Sequence, residues 1–428
     1  MPPLIKSETR SVNRYTDATY LERHKDWHVK DSQLKRAKIN PHEEAMKENI
    51  VFLDATQEYP VQFSASNTKV EMMGRGLRAL GCRVLVINSI IGRATAQGAG
   101  SNGVLEYFSF RQPISKYCGW VFNIVPLYRL LRNRRQAGTA NVIVTNTHYY
   151  PMFVMYVLLG RMTGYRLTFM FDEWHVTGED RTLAKRLNAG LLNYTFGYFL
   201  DGILPISSFL EQKASRFGKK LLRLPVLADY DQLQPLSDSD ESYSYFLYCA
   251  QAAYLRVILI LLDALALYAS AGRQEKLVMI LSGKNEHFDR VRREIDVRGL
   301  GCRVEIRTDI PFDELHQLYR EALALMIPLD PESIQDRARF PQKIAEYLAA
   351  ARPIITAGVG EIPHYFRDKR DVVLATSHSP EAYAEAMLRV AGDPQQAAEI
   401  GRRGRCLGER VFDYRTHCRK LCAFFEVL

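Results

Sequence analysis

The feature that most constrains the fold is an alternation that occurs twice along the chain. Short apolar runs, rich in β-branched residues, are separated by segments with the spacing of amphipathic helices. In the first half the runs read NIVFLDA, CRVLVINSI, VLEYFSF, NVIVTNT and YRLTFMFD, and in the second half SYFLYCA, KLVMILSG, CRVEIRT, LALMIPL and PIITAG. Because runs that are apolar throughout are typical of strands buried on both faces, the pattern predicts two mostly parallel sheets covered by helices.

An acidic, turn-rich stretch, ADYDQLQPLSDSDES, separates the two alternations and is interpreted as a linker. At 428 residues the chain also exceeds the size at which one core keeps growing. We therefore expect a polar extension over residues 1–45, a Rossmann-like domain over 46–228, a linker over 229–242, a second Rossmann-like domain over 243–405, and a helix over 406–428 that packs back across the domains. Two such domains predict a ligand in the cleft at the carboxyl ends of the strands.

Composition narrows the class of partner. The formal net charge of +9 favours an anionic one, such as a nucleotide, a phosphorylated lipid or a membrane surface. The seven cysteines are scattered without a CxxC pair, so the sequence signals neither a zinc site nor a disulfide framework. The first residues, MPPLIKSETR, lack the apolar region of a signal peptide, and the most apolar stretch, VILILLDALALYASAG, is too short for a membrane span.

Several segments, most of them in the second half, occur in the order found in a known protein family. These are LVMILSGKN, DIPFDELHQLYREALALMIPLDPES and FPQKIAEYLAAARPIITAGVGEIPHYF, preceded in the first half by TFMFDEWHVTG and ILPISSFLEQKASRFGKKLLRLPVL. Over roughly residues 49–420 the chain resembles the family 4 glycosyltransferases. The resemblance implies the GT-B fold, with two Rossmann-like domains that face a cleft, and a nucleotide-diphosphate sugar as donor.

The resemblance also implies roles for residues of the second half. Glu346 matches the acid that accepts the ribose hydroxyls, whereas the acid expected eight positions earlier is replaced by Ala338. Arg256 matches a diphosphate-binding lysine, and Gln251 stands in place of an arginine. The remaining candidates for nucleotide-sugar binding are Lys343, Arg339, Gly283, Gly360 and Glu361.

In the first half, His175 of FDEWHVTG matches a histidine that contacts the donor sugar in that family. An imidazole can donate to a sugar hydroxyl or accept a proton near neutral pH. A packed loop histidine, held by Asp172 or Glu173, is the alternative interpretation, and His148 is a rival candidate at another strand end. We predict His175 and Arg256 as the catalytic residues.

Residues 107–171 contain no Asp or Glu but many arginines interleaved with aromatic residues. Such a surface suits an anionic membrane and a lipid-linked acceptor, and the residues predicted to form it are Arg129, Arg132, Arg134, Arg135 and Trp120. The alternative is that the aromatic residues belong to the core and the arginines to a solvated face. RNA binding has no supporting motif, and we expect no nucleic-acid partner.

A DxD triplet, Asp238 to Asp240, lies in the acidic linker instead of at a strand end, so we expect no required metal and no cofactor beyond the donor. The leading hypothesis is a cytoplasmic glycosyltransferase, peripheral on the inner face of the cell membrane. It would transfer sugar with retention to a saccharide or lipid-linked saccharide in surface-glycan assembly. The alternatives are a non-catalytic GT-B subunit that partners an active transferase and a nucleotide-sugar epimerase of the same fold.

Overall fold

The computed structural model describes residues 48–56, 58–60, 64–91, 98–111, 119–175, 182–235 and 245–428. The predicted extension over 1–45 lies outside the described residues. So do residues 236–242 of the predicted linker, which include the DxD triplet.

The first domain is built on a sheet that has eight strands among the described residues, in the order β3-β4-β2-β1-β5-β6-β7-β8. All neighbours are parallel except β3 and β4. The strands are β1 (Glu48–Leu53), β2 (Arg83–Ile87), β3 (Gly98–Ser101), β4 (Glu106–Ser109), β5 (Ala140–Thr145), β6 (Arg166–Phe171), β7 (Gly202–Pro205) and β8 (Lys220–Leu221). Every residue of β1 is buried, as a central strand covered on both faces requires.

Helices cover both faces of this sheet. They are α1 (Ala65–Ala79), α2 (Ile124–Arg134), α3 (Tyr150–Thr163), α4 (Leu183–Thr195) and α5 (Ser208–Ser215). Short 3-10 helices span Gly119–Asn123 and Phe196–Phe199. The side chains of Ser64 and Ser207 cap α1 and α5 by accepting hydrogen bonds from backbone N–H groups of the first turn.

The second domain has a fully parallel sheet in the order β11-β10-β9-β12-β13-β14. Its strands are β9 (Tyr245–Gln251), β10 (Lys276–Ser282), β11 (Val304–Arg307), β12 (Ala324–Ile327), β13 (Ile354–Ala357) and β14 (Val373–Ala375). Its helices are α6 (Leu255–Ser270), α7 (Asn285–Val297), α8 (Phe312–Glu321), α9 (Ile334–Ala338), α10 (Lys343–Ala349), α11 (Ile362–Tyr365), α12 (Pro380–Gly392) and α13 (Pro394–Phe412). Between β9 and β12, at the centre of the sheet, the order in which successive strands are added switches direction. Open parallel sheets bind ligands beside such a switch point, at the carboxyl ends of the strands.

The C-terminal segment returns to the first domain. Helix α13 ends at Phe412, where Ala228 forms backbone hydrogen bonds with Phe412 and Tyr414. The last helix, α14 (Tyr414–Glu426), then packs against α1 and the strands β1 and β5. The predicted segment 406–428 is thus divided between α13 and α14.

The predicted fold class, with two Rossmann-like α/β domains and a C-terminal helical segment, is confirmed. The alternation along the sequence was sufficient to predict this fold class, because each buried parallel strand needs a continuous apolar run and each crossover needs a helix with one apolar face. No helix of the described residues is both long and apolar enough to cross a membrane.

Candidate functional site

Glu346 and Lys343 lie one turn apart on α10 and form an ion pair. The Lys343 Nζ is 2.9 Å from the Glu346 Oε2 and 3.0 Å from the Tyr319 hydroxyl of α8. The Glu346 side chain is only 6% exposed. Burial alone would lower the pKa of Lys343, but the neighbouring Glu346 carboxylate outweighs it and raises that pKa above the ordinary lysine value. Lys343 is therefore protonated and pairs with Glu346 on the face of α10 that is directed towards α8.

A cavity of about 250 Å³ adjoins this pair, between α8, α10 and residues 232–234. Glu346, Asp313 and His316 contribute polar groups to its wall. The His316 Nε2 is buried and has no hydrogen-bond partner among the described residues. Burial lowers the pKa of His316 to about 4, so its ring is neutral at pH 7. The cavity thus offers two carboxyl groups and an uncharged imidazole to a polar ligand.

A second charged cluster follows strands β9 and β12. Asp336 is buried, accepts a hydrogen bond of 3.0 Å from the backbone N–H of Asp330, and forms an ion pair with Arg339. The Arg339 guanidinium lies over the Tyr254 ring, 5.3 Å from its centroid. Arg256, at the start of α6, is 91% exposed and lies 3.7 Å from the Asp330 carboxylate. Arg339 is held in place by its neighbours, whereas Arg256 is open to an incoming anion.

Gln251 and Gly283 lie at the ends of adjacent strands. Gln251 is the last residue of β9, Gly283 directly follows β10, and both are exposed. The backbone N–H of Ala252 donates to the Ser282 carbonyl at 2.8 Å, which brings the two turns together. Gly283 has a φ of +140°, a conformation that glycine adopts at little cost. The backbone at this point of the carboxyl edge is therefore open to a ligand.

The loop of Gly360 and Glu361 lies against the first domain. Glu361 is 1% exposed, and its Oε1 accepts hydrogen bonds from the backbone N–H of Ser208, at 2.7 Å, and from the Ser208 hydroxyl. Because Ser208 is the first residue of α5, the carboxylate satisfies an N–H that has no partner within the helix. The Glu361 carboxylate thus joins the two domains, whereas donor binding by the backbone amides of this loop stays a prediction.

Ala338 also belongs to the contact between the domains. It is 0% exposed, and its carbonyl accepts a hydrogen bond from the hydroxyl of Ser207, the residue that caps α5. One turn earlier, the Gln335 amide donates to the Trp174 carbonyl at 2.6 Å. The position at which the resemblance implied an acid is therefore buried in the contact between the domains.

His175 and His148 lie side by side after strands β6 and β5, with ring centroids 5.3 Å apart. The side chain of Asn193 on α4 holds the backbone of His175, accepting from its N–H at 3.0 Å and donating to its carbonyl at 2.7 Å. Both imidazoles line a cavity of about 460 Å³, which Lys185 and Asn188 of α4 also border. The two rival histidines of the sequence therefore share one cavity.

The carboxyl edge of the first sheet holds further charged groups that sequence reasoning missed. The Lys69 Nζ of α1 lies 2.7 Å from the carboxylate of Asp172, which directly follows β6. Asp54 directly follows β1, and its carboxylate accepts from the Tyr156 hydroxyl at 3.2 Å. Burial raises the pKa of Asp54 above the ordinary aspartate value. Both aspartates could have been found because each ends a strand, but no pattern singled out Lys69.

The arginines predicted to face a membrane do not share one environment. Arg134, the last residue of α2, is buried and forms an ion pair of 3.1 Å with Glu106 of β4. Burial also lowers the pKa of Arg134. The prediction for Arg134 is wrong because the end of α2 turns this side chain towards the sheet. Those that are exposed are Arg129, Arg132 and Arg135, and the side chain of Trp120 lies outside what the structure describes.

Exposed apolar side chains accompany these arginines on the adjacent helices α2, α3 and α4. On α3 they recur every four residues, at Val154, Leu158 and Met162. On α4 they are Leu183 and Leu187. Residues 119–171 and 183–195 contain no Asp or Glu, so this face combines apolar groups with positive charge only. We call it the α3–α4 face.

Known proteins resemble this chain in the sequence of one segment and in the overall fold. The sequence matches lie in part of the chain. Residues 244–393 match the family described as glycosyl transferases group 1. A stretch of 103 residues is 31% identical to the D-inositol 3-phosphate glycosyltransferase of Streptomyces bingchenggensis, which is 24% of this chain and 21% of that protein. The match therefore spans about a fifth of the length of this curated relative.

Solved structures resemble nearly the whole chain. Sucrose-phosphate synthase from Thermosynechococcus elongatus superposes with a TM-score of 0.70 at 15% identity, over 89% of this chain and 98% of that one. Anabaena HepE in complex with UDP-glucose superposes with a TM-score of 0.66 at 15% identity, over 89% and 100% of the two chains. The chain has the GT-B fold. Its resemblance to GT-B glycosyltransferases is likewise confirmed, through the group 1 match in the second domain.

On this GT-B framework the predicted residues fall into separate groups. Glu346, which pairs with Lys343, lines the cavity beside α8, and Arg256 shares a cluster with Arg339. His175 belongs to a cavity of the first domain, and Glu361 belongs to the contact between the domains.

Proposed function

We propose that the chain is a glycosyltransferase that moves a sugar from a nucleotide-diphosphate donor to a saccharide or lipid-linked saccharide, in the assembly of a polysaccharide or surface glycan. The observation that carries the proposal is Glu346, a buried side chain that pairs with Lys343 at the wall of a cavity within the group 1 domain. The UDP-glucose complex of a structure with the same fold supports a donor of this type. The donor is a co-substrate, and the proposed transfer requires no cofactor.

Glu346 would hold the ribose, because a carboxylate can accept hydrogen bonds from both hydroxyls of a diol. Lys343 and Arg256 would stabilise the diphosphate, the former from beside Glu346 and the latter from the exposed start of α6. Arg339 would position the loop between them, since it is already engaged by Asp336 and Tyr254. Because the leaving diphosphate gains negative charge, these cations would stabilise the transition state more strongly than the ground state.

His175 would act on the sugar or on the acceptor hydroxyl from the first domain. Its backbone is fixed by Asn193, and its ring lines a cavity with His148 and Lys185. We propose retention of the anomeric configuration, with the departing diphosphate assisting the acceptor on the same face of the sugar. In that reaction the acceptor proton passes to a diphosphate oxygen, so His175 needs only to position and polarise the sugar.

A second candidate function is a non-catalytic GT-B subunit that binds a nucleotide sugar and partners an active transferase. Ala338 favours it, because this position is buried in the contact between the domains and carries no acid. Gln251 in place of a cation also favours it, because less positive charge then faces the leaving diphosphate.

Donor binding is tested by calorimetry of the full chain with UDP, GDP and ADP. The expected result is binding of one of the three, lost or strongly weakened in Glu346→Gln. Sugar transfer by the isolated chain to a lipid extract, with the matching nucleotide sugar, then separates the two candidates. Transfer would eliminate the non-catalytic subunit, binding without transfer would support it, and absence of binding to all three nucleotides would refute both.

For the acceptor side we propose peripheral docking of the α3–α4 face on an anionic membrane. Leu158 is 55% and Met162 69% exposed, and the exposed arginines Arg129 and Arg132 lie on the adjacent helix. Apolar side chains that insert at the headgroup boundary, together with cations that attract anionic lipid, are the requirements of such docking. It would bring the first domain to a lipid-linked acceptor.

Co-sedimentation with vesicles tests this docking. We expect binding to vesicles that contain phosphatidylglycerol, weak binding to phosphatidylcholine alone, and a loss of binding in Leu158→Ser/Met162→Ser. The control is Val297→Ser, which removes an apolar side chain of 82% exposure from the second domain. Equal binding of the double variant and the control would refute the docking surface.

A further inference from the structure

Three side chains from distant parts of the chain meet beneath the C-terminal helix. Glu48 is the first residue of β1, Cys82 directly precedes β2, and Cys422 lies on α14. They are 3%, 5% and 6% exposed, so all three are buried. Their potential ligand atoms lie within 4.8 Å of one another. This cluster is far from any role in the proposed transfer, and we call it the Glu48 cluster.

The distances within the Glu48 cluster are those of a shared metal ion. The Sγ atoms of Cys82 and Cys422 are 3.7 Å apart, and the Glu48 Oε2 lies 3.2 Å from the first and 3.3 Å from the second. Around a tetrahedral Zn²⁺, two sulfurs at about 2.3 Å from the metal lie about 3.8 Å apart, and a sulfur and a carboxylate oxygen about 3.5 Å apart. The side chains therefore need to move by only a few tenths of an ångström to enclose the ion.

Zinc binding would not add buried charge to the Glu48 cluster. Among the described residues no lysine or arginine forms an ion pair with the buried Glu48 side chain. When Zn²⁺ binds, the two thiols release their protons and the two charges of the ion balance the two thiolates, so the buried net charge stays that of one carboxylate.

We propose that Glu48, Cys82 and Cys422 bind one Zn²⁺ ion, which fastens the C-terminal helix α14 to the first sheet. Thiolate ligands select zinc over magnesium and calcium. Three protein ligands leave the fourth tetrahedral position to a water molecule. The two cysteines are separated by 340 residues, so the ion closes a loop that contains most of both domains. Its role is structural and is independent of whether the chain transfers sugar.

Metal analysis of the full chain tests the proposal. After loading with zinc and removal of the excess by dialysis, we expect about one zinc per wild-type chain and background zinc in Cys82→Ser and in Cys422→Ser. The control is Cys302→Ser/Cys406→Ser, which replaces two exposed cysteines and should retain the ion. A chelator should lower the Tm of the wild type and of the control, but leave the Tm of the cluster variants unchanged.

A Co²⁺ titration of the wild type tests the zinc site even if a variant of the Glu48 cluster does not fold. Titration of the metal-free wild type with Co²⁺ should produce a thiolate-to-cobalt charge-transfer band that saturates at one equivalent and disappears when zinc is added. Absence of this band, zinc retention by Cys82→Ser and Cys422→Ser equal to that of the control, or a disulfide between Cys82 and Cys422 in the purified protein would each overturn the zinc site. In the first of these cases the cluster is two thiols that donate to a carboxylate.

Discussion

Replacing Glu346 with Gln is the most direct test of the proposed donor site. The substitution keeps the shape of the side chain and one oxygen acceptor, but removes the charge. Two consequences are expected, because the same carboxylate that would hold a ribose also pairs with Lys343 at 2.9 Å. The fold of the second domain and its affinity for nucleotide should therefore both suffer, and they must be separated.

The cost to folding can be worked out from the burial of the pair. The side chains of Lys343 and Glu346 are 26% and 6% exposed. Removing one partner of a fully buried pair costs about 3 to 5 kcal/mol. Lys343 is partly exposed, keeps the Tyr319 hydroxyl at 3.0 Å, and can still donate to the glutamine oxygen. The expected loss in the free energy of unfolding is therefore about 2 kcal/mol.

The cost to binding follows from the hydrogen bonds that the ribose would lose. A hydrogen bond to a charged group contributes about 1.5 to 3 kcal/mol, and a neutral one about 1 kcal/mol. Glutamine replaces two charge-assisted bonds by one neutral acceptor and one donor, which suits a diol less well. We expect a loss of about 2 kcal/mol, or a Kd about 30-fold higher. Calorimetry with the preferred nucleotide measures it, and urea unfolding measures the stability.

A double variant, Lys343→Met/Glu346→Leu, separates the two consequences. It removes both charges together, so no unpaired charge stays buried and most of the stability should return. It lacks both the carboxylate proposed for the ribose and the Lys343 cation proposed for the diphosphate, so nucleotide binding should stay weak. Recovery of wild-type affinity together with stability would refute the reasoning, because Glu346 would then act only through the fold. Unchanged affinity in Glu346→Gln would refute it as well.

Two further substitutions test the backbone and the pH dependence. Gly360→Ala should lower the free energy of unfolding in urea by more than about 2 kcal/mol, because φ is +59° and the new Cβ would lie 2.7 Å from the Asp336 carbonyl oxygen. The control is Gly358→Ala, whose Cβ meets open space and should change the stability by less than about 0.5 kcal/mol. Equal effects of the two substitutions would contradict this prediction. Burial lowers the pKa of His417 to about 4, and its Nε2–H donates to the Val411 carbonyl at 2.7 Å. The unfolded chain therefore takes up this proton first, so wild-type stability should fall between about pH 6.5 and pH 4, and His417→Gln should abolish about 3 kcal/mol of that fall; an unaltered pH slope in the variant would rule the explanation out.

The fold was predictable because its signals are local. Each buried strand is a continuous apolar run and each crossover helix has its own period, so the two sheets follow from segments of fewer than about 20 residues. Glu346 could be found in the same way, from the order of segments around one short helix. Its pairing with Lys343 follows from their spacing on α10.

What sequence reasoning missed depends on contacts between distant segments. Arg134 has the composition of a surface arginine, and only the packing of α2 on β4 turns it towards Glu106. Cys82 has no neighbouring cysteine or histidine in sequence, and Cys422 follows Cys418 by one helical turn, yet the return of α14 to the first sheet places the sulfurs of Cys82 and Cys422 3.7 Å apart. The sequence separation of two distant residues does not predict whether they are in contact, because the chain between them can fold in many ways.

Ala338 and Glu361 of the second domain contact the same helix end of the first domain. The start of α5 occupies the place that both side chains would face: the Ser207 hydroxyl binds the Ala338 carbonyl, and Ser208 binds the Glu361 carboxylate. An acid at position 338 would have to be buried at 0% exposure beside that contact, at a large desolvation cost. Under the proposed function, a donor that uses this region would therefore require α5 and α9 to separate. Glu346 and Arg256 lie outside this contact, so in the proposed donor site they would be available to the nucleotide portion without that separation.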